Sequence, residues 1–330
     1  MMSLPSSQPD LSICIVAYNV RAVLKDCLQS IRRAGPEINY EVLVVDNSSR
    51  DGTGEMVKSD FPEFFLILND SNIGFSAASN QAIRLSRGRY LLLLNPDTLV
   101  AKGALEEMVR FLDCRPAAGG GGPKLLNPDG RLQFSVRAFP TIASAFQQFT
   151  ILGELGCFRR ARNDYLQSGF DYARPTTVDQ PMGAALFLRR EALDEVGLLD
   201  EGFFLYFEEV DLCRRLTGAG WALWYNPAAE IVHLGGESTG QEGGRALYYF
   251  YQSQFRYFEK VFPPSRARIF KLAFKPLAVL GLLWSMALTG LCLAGGYFAR
   301  IPAERRLRKR ARLRLKREFF SRYLREFLRL

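Results

Sequence analysis

The sequence predicts an α/β fold built on a mostly parallel sheet, and three observations carry that prediction. Over the first hundred residues short apolar runs alternate with amphipathic segments, the pattern of successive βαβ units. Each apolar run ends in a polar cluster: Tyr18-Asn19, Asp46-Asn47-Ser48-Ser49, Asn69-Asp70 and Asn95-Pro96-Asp97. The chain has 330 residues, 48% hydrophobic and 23% charged, enough to pack a core in one large domain or two ordinary ones. Intrinsic disorder and a disulfide-stapled miniprotein are thereby excluded. Ligands of open α/β sheets sit at the carboxyl ends of the strands, so the four clusters are expected to face one crevice.

The elements follow in order. Residues 11–17 read as a buried strand, and residues 20–33 place Val20, Val23, Leu24, Cys27, Leu28 and Ile31 at helical spacing before a Gly35-Pro36 break. Further strands are predicted over 41–46, 64–68 and 90–94, with a helix over 75–86. From Gly119 to about Gln180 no clean period emerges; the glycine run at 119–122 and the Asn127-Pro128-Asp129-Gly130 turn mark the stretch as irregular. A strand over 183–188 and a helix over 191–196 precede the aromatic string Phe203-Phe204-Leu205-Tyr206-Phe207. A helix from about 208 to 217, short strands at 221–225 and 231–233, and a helix over 243–261 stopped by Pro263-Pro264 complete the reading.

Beyond the prolines the composition changes, which sets a domain boundary between residues 1–262 and 263–330. Residues 276–299 contain no charged side chain, and that run reaches the ~20 residues a helix needs to cross a bilayer. The tail then places Leu307, Ala311, Leu315, Phe319, Tyr323 and Phe327 at steps of four among arginines, as in a basic amphipathic helix lying on anionic lipid. The competing reading is a helix packed on the protein itself. Residues 300–330 hold 13 Lys/Arg and 3 Asp/Glu, so the net charge of +9 belongs to the tail, and residues 1–299 carry a net of −1. A nucleic-acid partner is therefore not expected. Basic residues flank the apolar run on both sides, which opposes a simple span under the positive-inside tendency; Gly281, Gly290, Gly295 and Gly296 permit a re-entrant helix instead.

Four groups of residues carry chemistry. Asp46 ends a strand, where a carboxylate accepts hydrogen bonds from a nucleobase imide or a ribose hydroxyl; the alternative is an Asx turn. Asp97 follows the leucine strand, where one carboxylate holds a divalent cation otherwise ligated by substrate phosphates and water; a plain turn with a cap is its alternative. Glu208, Glu209 and Asp211 form the densest acidic cluster, and their aromatic lead-in disfavours the anion, which is how a general base is made. His233, the single histidine, is either structural or a second metal ligand beside Asp97. The six cysteines form no C-x-x-C pair, which argues against a cysteine-built zinc site and for a reducing compartment.

Together these strings resemble family 2 glycosyltransferases of the GT-A fold, in particular the bacterial rhamnosyltransferase-like group. The resemblance rests on Ile15-Val16-Ala17-Tyr18-Asn19, on Val44-Val45-Asp46 through Thr53, on Asn72-Ile73-Gly74 through Asn80, and on Gly88-Arg89-Tyr90 leading into Asn95-Pro96-Asp97-Thr98. Met182-Gly183-Ala184-Ala185, residues 203–214 and Ile231-Val232-His233 extend it over roughly residues 10–260.

The resemblance implies a Rossmann-like mixed sheet with a membrane-associated helical segment after it. It also implies an inverting, metal-dependent enzyme that moves rhamnose or another hexose from a dTDP- or UDP-sugar to a polyprenyl-linked saccharide. Asp46 would recognise the base, with Ala17, Tyr18, Asn19, Ser48, Asn72, Gly74, Asn80, Asn95 and Arg214 around the donor. Asp97 and His233 would hold Mg²⁺ or Mn²⁺. Asn95 stands where the family has the first aspartate of D-x-D, and Glu209 stands where it has the catalytic aspartate. Glu209 would be the base, with Glu208 and Asp211 beside it. The expected place is the cytoplasmic face of the cell membrane, with anionic lipid as a partner. A nucleotidyltransferase would need a Gly-rich phosphate loop with a lysine after the first strand, and Tyr18-Asn19-Val20-Arg21 is not one. The remaining alternative is a catalytically silent, membrane-bound assembly subunit.

Overall fold

The structure, a computed structural model, describes residues 8–35, 37–235, 243–294 and 303–330. Pro36, the segment after Gly235 through Thr239, and Gly295 and Gly296 of the apolar run lie outside the described residues. The described chain divides into two compact units: Met1–Phe139, Gly169–Phe204 and Glu208–Ser238 make the first, and Pro140–Ser168, Leu205–Phe207 and Thr239–Leu330 the second.

The first unit is a mixed sheet between helices. Its parallel half comprises β1 (Leu11–Ala17), β2 (Tyr40–Asp46), β3 (Phe65–Leu68) and β4 (Tyr90–Leu94), in the order β3-β2-β1-β4. β5 (Thr98–Val100), β6 (Ala118–Leu126), the two-residue β7 (Val136–Arg137), β8 (Thr176–Thr177) and β9 (Gln180–Pro181), then β10 (Ala185–Arg189) and β11 (Ala222–His233) complete the strands. The sheet continues from β4 through β10, β6 and β11 to β5, with β10 antiparallel to both neighbours. The helices of this unit are α1 (Arg21–Ala34), α2 (Thr53–Asp60), α3 (Phe75–Leu85) and α4 (Ala104–Asp113), and the second unit supplies α5 (Ile142–Phe149), α6 (Ile151–Glu154) and α7 (Arg159–Leu166). α8 (Arg190–Val196) and α9 (Glu208–Gly218) return to the first unit.

Period-two alternation explains why β1 is buried on both faces. Leu11, Ile13, Ile15 and Ala17 join the core under α1, α2 and α4, while Cys14 and Val16 join the core that includes Ala78, Ala82, Leu193 and Leu212. Register then aligns the strand ends: Ala17 pairs with Asp46, Asp46 with Leu68, and Ile15 with Leu94. All four polar clusters therefore leave the same edge, at the point where strand order reverses between β1 and β4.

Two expectations are corrected. The stretch read as irregular contains β6, whose glycines hide a core strand because nothing larger fits. A Cβ at Gly120 would collide with the Phe187 carbonyl of β10, and one at Gly121 with the Trp224 carbonyl of β11. The same stretch also contains α5, α6 and α7. The two short strands expected near 221–225 and 231–233 are the halves of β11, joined across a register shift between Asn226 and Glu230.

The second unit is helical: α10 (Gly243–Val261), α11 (Pro264–Ala294), α12 (Ala303–Glu318), a π-helical turn at Phe319–Tyr323 and α13 (Leu324–Arg329) join α5 to α7. Pro263-Pro264 separates α10 from α11 as expected, while Pro276 lies within α11. The tail stripe is packed for part of its length: Phe319 and Phe327 are fully buried, their rings 5.8 and 4.9 Å from that of Tyr251. For these two residues the reading as a lipid-facing stripe is corrected, because an aromatic ring gains as much from Tyr251 and Phe255 as from acyl chains. Leu307 is exposed.

Gly120→Ala should destabilise the protein by about 1–3 kcal/mol in a denaturant titration, although alanine is normally the better residue inside an element. Gly218→Ala, with open space at its Cβ, is the control and should stay within about 1 kcal/mol of the parent.

Candidate active site

The loops after β1 and β2 are laced together at the crevice rim. Asn19 and Ser48 adopt left-handed backbone, at φ 52° and 71°. Asn19 donates its N–H to Ser49 Oγ (2.8 Å) and accepts from the Arg50 N–H (2.7 Å), while Asp51 accepts from the Arg21 N–H (2.9 Å). Asp46 is buried and accepts from the Ser49 N–H at 3.0 Å, so the Asx turn and the strand-end carboxylate are both present. Asn47, 2% exposed, donates to Asn72 Oδ1 (2.8 Å) and to the Gly74 carbonyl (3.3 Å), and accepts from the Ile73 N–H (3.2 Å). Ser48 Oγ donates to the Asp70 carbonyl at 3.2 Å. Ala17, Tyr18, Asn19, Asp46, Ser48, Asn72 and Gly74 are thus brought to one rim.

Asp97 and His233 are brought together by a short ladder. β11 runs antiparallel to β5 with His233 opposite Thr98, and the Leu234 N–H donates to the Asp97 carbonyl at 2.9 Å. His233 Nε2 then lies 3.5 Å from Asp97 Oδ1, with both side chains nearly buried. On the other side of the ring Nδ1 lies 2.8 Å from Gln133 Oε1. Gln133 Nε2 donates to Asn127 Oδ1 (3.0 Å) and the His233 carbonyl (3.4 Å), which fixes the amide so that Oε1 is the acceptor. Nδ1 therefore carries hydrogen, and Nε2 is turned toward a carboxylate oxygen. The ring nitrogen and the carboxylate oxygen face one another in a buried place, and an N,O donor pair of this kind suits Mn²⁺ or, less well, Mg²⁺. No group of three His, Cys, Asp or Glu is clustered among the described residues, so other ligands would have to come from phosphate oxygens and water. Asn95 donates its N–H to the Ala184 carbonyl (2.9 Å) next to this pair in sequence.

The acidic cluster divides by environment. Glu208 is 6% exposed, and Oε2 of both Glu208 and Glu209 is buried with no hydrogen-bond partner among the described residues. Burial pushes both carboxyls above the ordinary carboxylate range; the charge of Glu209 adds to the effect on Glu208, and backbone N–H groups at the start of α9 oppose it. A Cβ on Gly183 would lie 3.1 Å from Glu209 Cγ, so the bare glycine houses the methylene that glutamate adds over aspartate. Tyr206 and Phe207, immediately before the pair, both adopt left-handed backbone at φ 71° and 68°, which costs about 1–3 kcal/mol each in non-glycine residues and concentrates at functional sites.

Three expected site residues have partners within the fold. Asp211 pairs with Arg215 at 2.9 Å, and Arg215 binds the carbonyls of Val196, Gly197 and Leu198, so the pair ties α9 to the loop after α8. The amide of Asn80 is engaged by Leu199 N–H, Leu199 carbonyl and Glu201, which fixes α3 to the 199–201 loop. Arg214 is exposed and lies over the Phe139 ring at 5.3 Å. Sequence reasoning missed Gln133, Asn47, Asp51 and Gly183. The signal for Gln133 was the Asn127-Pro128-Asp129-Gly130 turn, which sends the chain back along β6 so that the Gln133 N–H meets the Leu125 carbonyl (2.8 Å).

Comparison with known proteins gives the class first. The model of Glycosyl transferase family 2 matches residues 12–197, and the chain belongs to that family; it is a glycosyltransferase with a GT-A fold. More particularly, it is 30% identical over 257 residues to N-acetylglucosaminyl-diphospho-decaprenol L-rhamnosyltransferase of Mycobacterium tuberculosis, covering 74% of this chain and 82% of that protein. Rhamnosyltransferase WbbL of Escherichia coli K12 is 23% identical over 256 residues, 74% of this chain and 91% of WbbL. The fold is shared with the mannosyltransferase PcManGT of Pyrobaculum calidifontis, solved with GDP-Man and Mn²⁺, at a TM-score of 0.53, 17% identity, and coverage of 96% of this chain and 88% of that one.

Two outcomes follow from this geometry. Gln133→Leu frees the His233 ring and should weaken Mn²⁺-dependent nucleotide binding by about 10–100-fold in calorimetry, whereas unchanged affinity would remove Gln133 from any supporting role. Because the folded state raises the Glu208 pKa, the stability linked to this group is present below the ordinary carboxylate range and lost as pH rises through the raised value. Glu208→Gln should therefore raise the melting temperature over the parent at pH 8 and leave it unchanged near pH 4; an equal shift at both would exclude a desolvated anion.

Proposed function

We propose that the enzyme transfers a sugar, rhamnose or another hexose, from a dTDP- or UDP-sugar to a polyprenyl-diphosphate-linked saccharide, with inversion at the anomeric carbon. The reading is carried by one juxtaposition: the buried Asp97–His233 pair, held by Gln133, leaves the same sheet that aligns Asp46 and the Asn19–Ser49 rim. It is supported by the M. tuberculosis relative, whose name specifies a decaprenyl-diphosphate-linked N-acetylglucosamine acceptor.

In this reading Asp46 and the loop backbones hold the nucleoside, and Asp97 with His233 holds a divalent cation. That cation, when bound, would neutralise charge on the diphosphate. The acceptor hydroxyl oxygen forms the new bond to the anomeric carbon as the bond from that carbon to the diphosphate oxygen breaks, and the nucleoside diphosphate leaves. Glu209 takes the hydroxyl proton, and its raised pKa brings it nearer the working pH, where a general base is most effective. Glu208, pushed up by burial and by the charge of Glu209, stands beside it. Asp211 acts through Arg215, by fixing α9. No covalent intermediate is needed. Attachment at the cytoplasmic face of the membrane, by the apolar and basic C-terminal segments, would bring a lipid-held acceptor to a site fed by soluble donor.

The test is binding of dTDP, UDP and GDP, each with Mn²⁺, Mg²⁺ or EDTA, to the detergent-purified full chain, its Asp97→Ala variant and its Glu209→Gln variant. Metal-dependent binding of one nucleotide, lost in Asp97→Ala and kept in Glu209→Gln, is expected. Transfer to a lipid-linked acceptor should fall at least 100-fold in Glu209→Gln. Full turnover by that variant would remove Glu209 as the base, and nucleotide binding without turnover by the parent would favour the silent assembly subunit.

A further inference from the structure

Among the described residues, the second unit covers one side of α11 and leaves the other bare. Ala267, Phe270, Phe274, Ala278 and Leu282 are buried at helical steps; Phe270 and Phe274 meet Phe146 at ring distances of 5.6 and 5.7 Å. The opposite stripe runs Ile269, Leu272, Pro276, Leu280, Trp284, Leu288 and Leu291 at steps of three or four, all exposed, over roughly 33 Å of helix. Ile269, Leu272 and Leu291 are about two-thirds exposed, at 67%, 70% and 70%. An uncovered apolar strip of this length marks an interaction surface.

We propose that α11 lies in the plane of an anionic lipid monolayer, inserted by this stripe, and does not cross the bilayer. The proposal deepens, and rests on, the membrane attachment proposed above. What excludes crossing is the company α11 keeps at mid-length. A Cβ at Gly281 would lie 2.7 Å from the backbone nitrogen of Ile151, so a helix start with its own polar backbone is pressed against the centre of the uncharged run. One turn further, Lys316 Nζ donates to Ser285 Oγ, bringing the last turn of α12 alongside. Nearer the start, Lys271 and Lys275 reach the carbonyls of Leu330 and Leu328 (2.8 and 3.1 Å). A crossing helix would carry these groups into hydrocarbon, where ammonium ions and backbone without partners are costly.

An in-plane helix keeps them in the headgroups and sinks only the stripe. Charge selects the occupant: Arg266 and Arg268 beside the stripe and Arg312, Arg314 and Arg317 on α12 are exposed, and all complement anionic headgroups. A second copy seated on the same face would set this cationic rim against itself. Trp284 stands on the stripe, and tryptophan favours the interface.

The experiment uses the full-length chain with Cys114, Cys157 and Cys292 changed to serine and a fluorophore on a single cysteine replacing Leu272, Leu280 or Leu291. Depth is read on phosphatidylcholine/phosphatidylglycerol vesicles from quenching by lipids brominated at shallow or deep acyl positions. All three labels should lie at one shallow depth, about 5–10 Å into the leaflet. Leu280→Glu should weaken binding to these vesicles about ten-fold or more, and vesicles without phosphatidylglycerol should bind more weakly. A deep label at 280 between shallow ones at 272 and 291 would establish crossing and overturn the proposal while leaving attachment intact. No lipid quenching at any position, including the case of a stripe closed by dimerisation, would overturn the attachment as well.

Discussion

The site hangs on a three-residue antiparallel ladder. Val100, Leu99 and Thr98 of β5 pair with Ile231, Val232 and His233 of β11, and this register alone brings the imidazole to Asp97. A slip of one residue would turn His233 to the other face of the sheet, and a slip of two would carry it about 7 Å along the strand. The ladder is itself held by the much longer pairing of β11 with β6, whose glycines let the strands approach. The glycine run thus serves the chemistry at a distance, through the placement of one strand.

The same logic explains what could be read from the chain beforehand. β1, β2 and β4 announced themselves because strands buried on both faces are continuous apolar runs, and the polar residues at their ends marked the crevice. Asp46, Asp97 and His233 were legible as residues with suitable chemistry, and Glu208-Glu209 as acids behind an aromatic lead-in. β6 was not legible, because four glycines carry no periodicity and their reason for being there, the carbonyls of Phe187 and Trp224, lies far away in sequence. Gln133 was hidden for the same cause. Asn80 and Asp211 show what a string cannot report: polar residues whose hydrogen bonds fasten α3 and α9 to their neighbouring loops.

In the helical unit two demands meet on one element. α11 must be apolar toward Phe146 and Phe255 to hold the unit together, and it is apolar again on the reverse side. Composition alone reports the sum of the two faces, which is why the sequence of residues 276–299 does not separate the packed face from the exposed one. The tail has a comparable double character, since Phe319 and Phe327 pin the helices inward while Arg312, Arg314, Arg317 and Arg325 remain exposed.

The position of the ladder along the chain also orders the birth of the site. Everything that laces the crevice rim, from Asn19 to Asp51 and Asn72, lies within the first quarter of the sequence and pairs over short separations. The carboxylate–imidazole pair closes a loop between residues 97 and 233, a contact that must wait for most of the chain. A polypeptide emerging from the ribosome amino end first therefore owns the Asn19–Asp51 rim well before it owns the Asp97–His233 pair. Loss of the segment that carries β11 would take His233, and with it the carboxylate–imidazole pair, from the site.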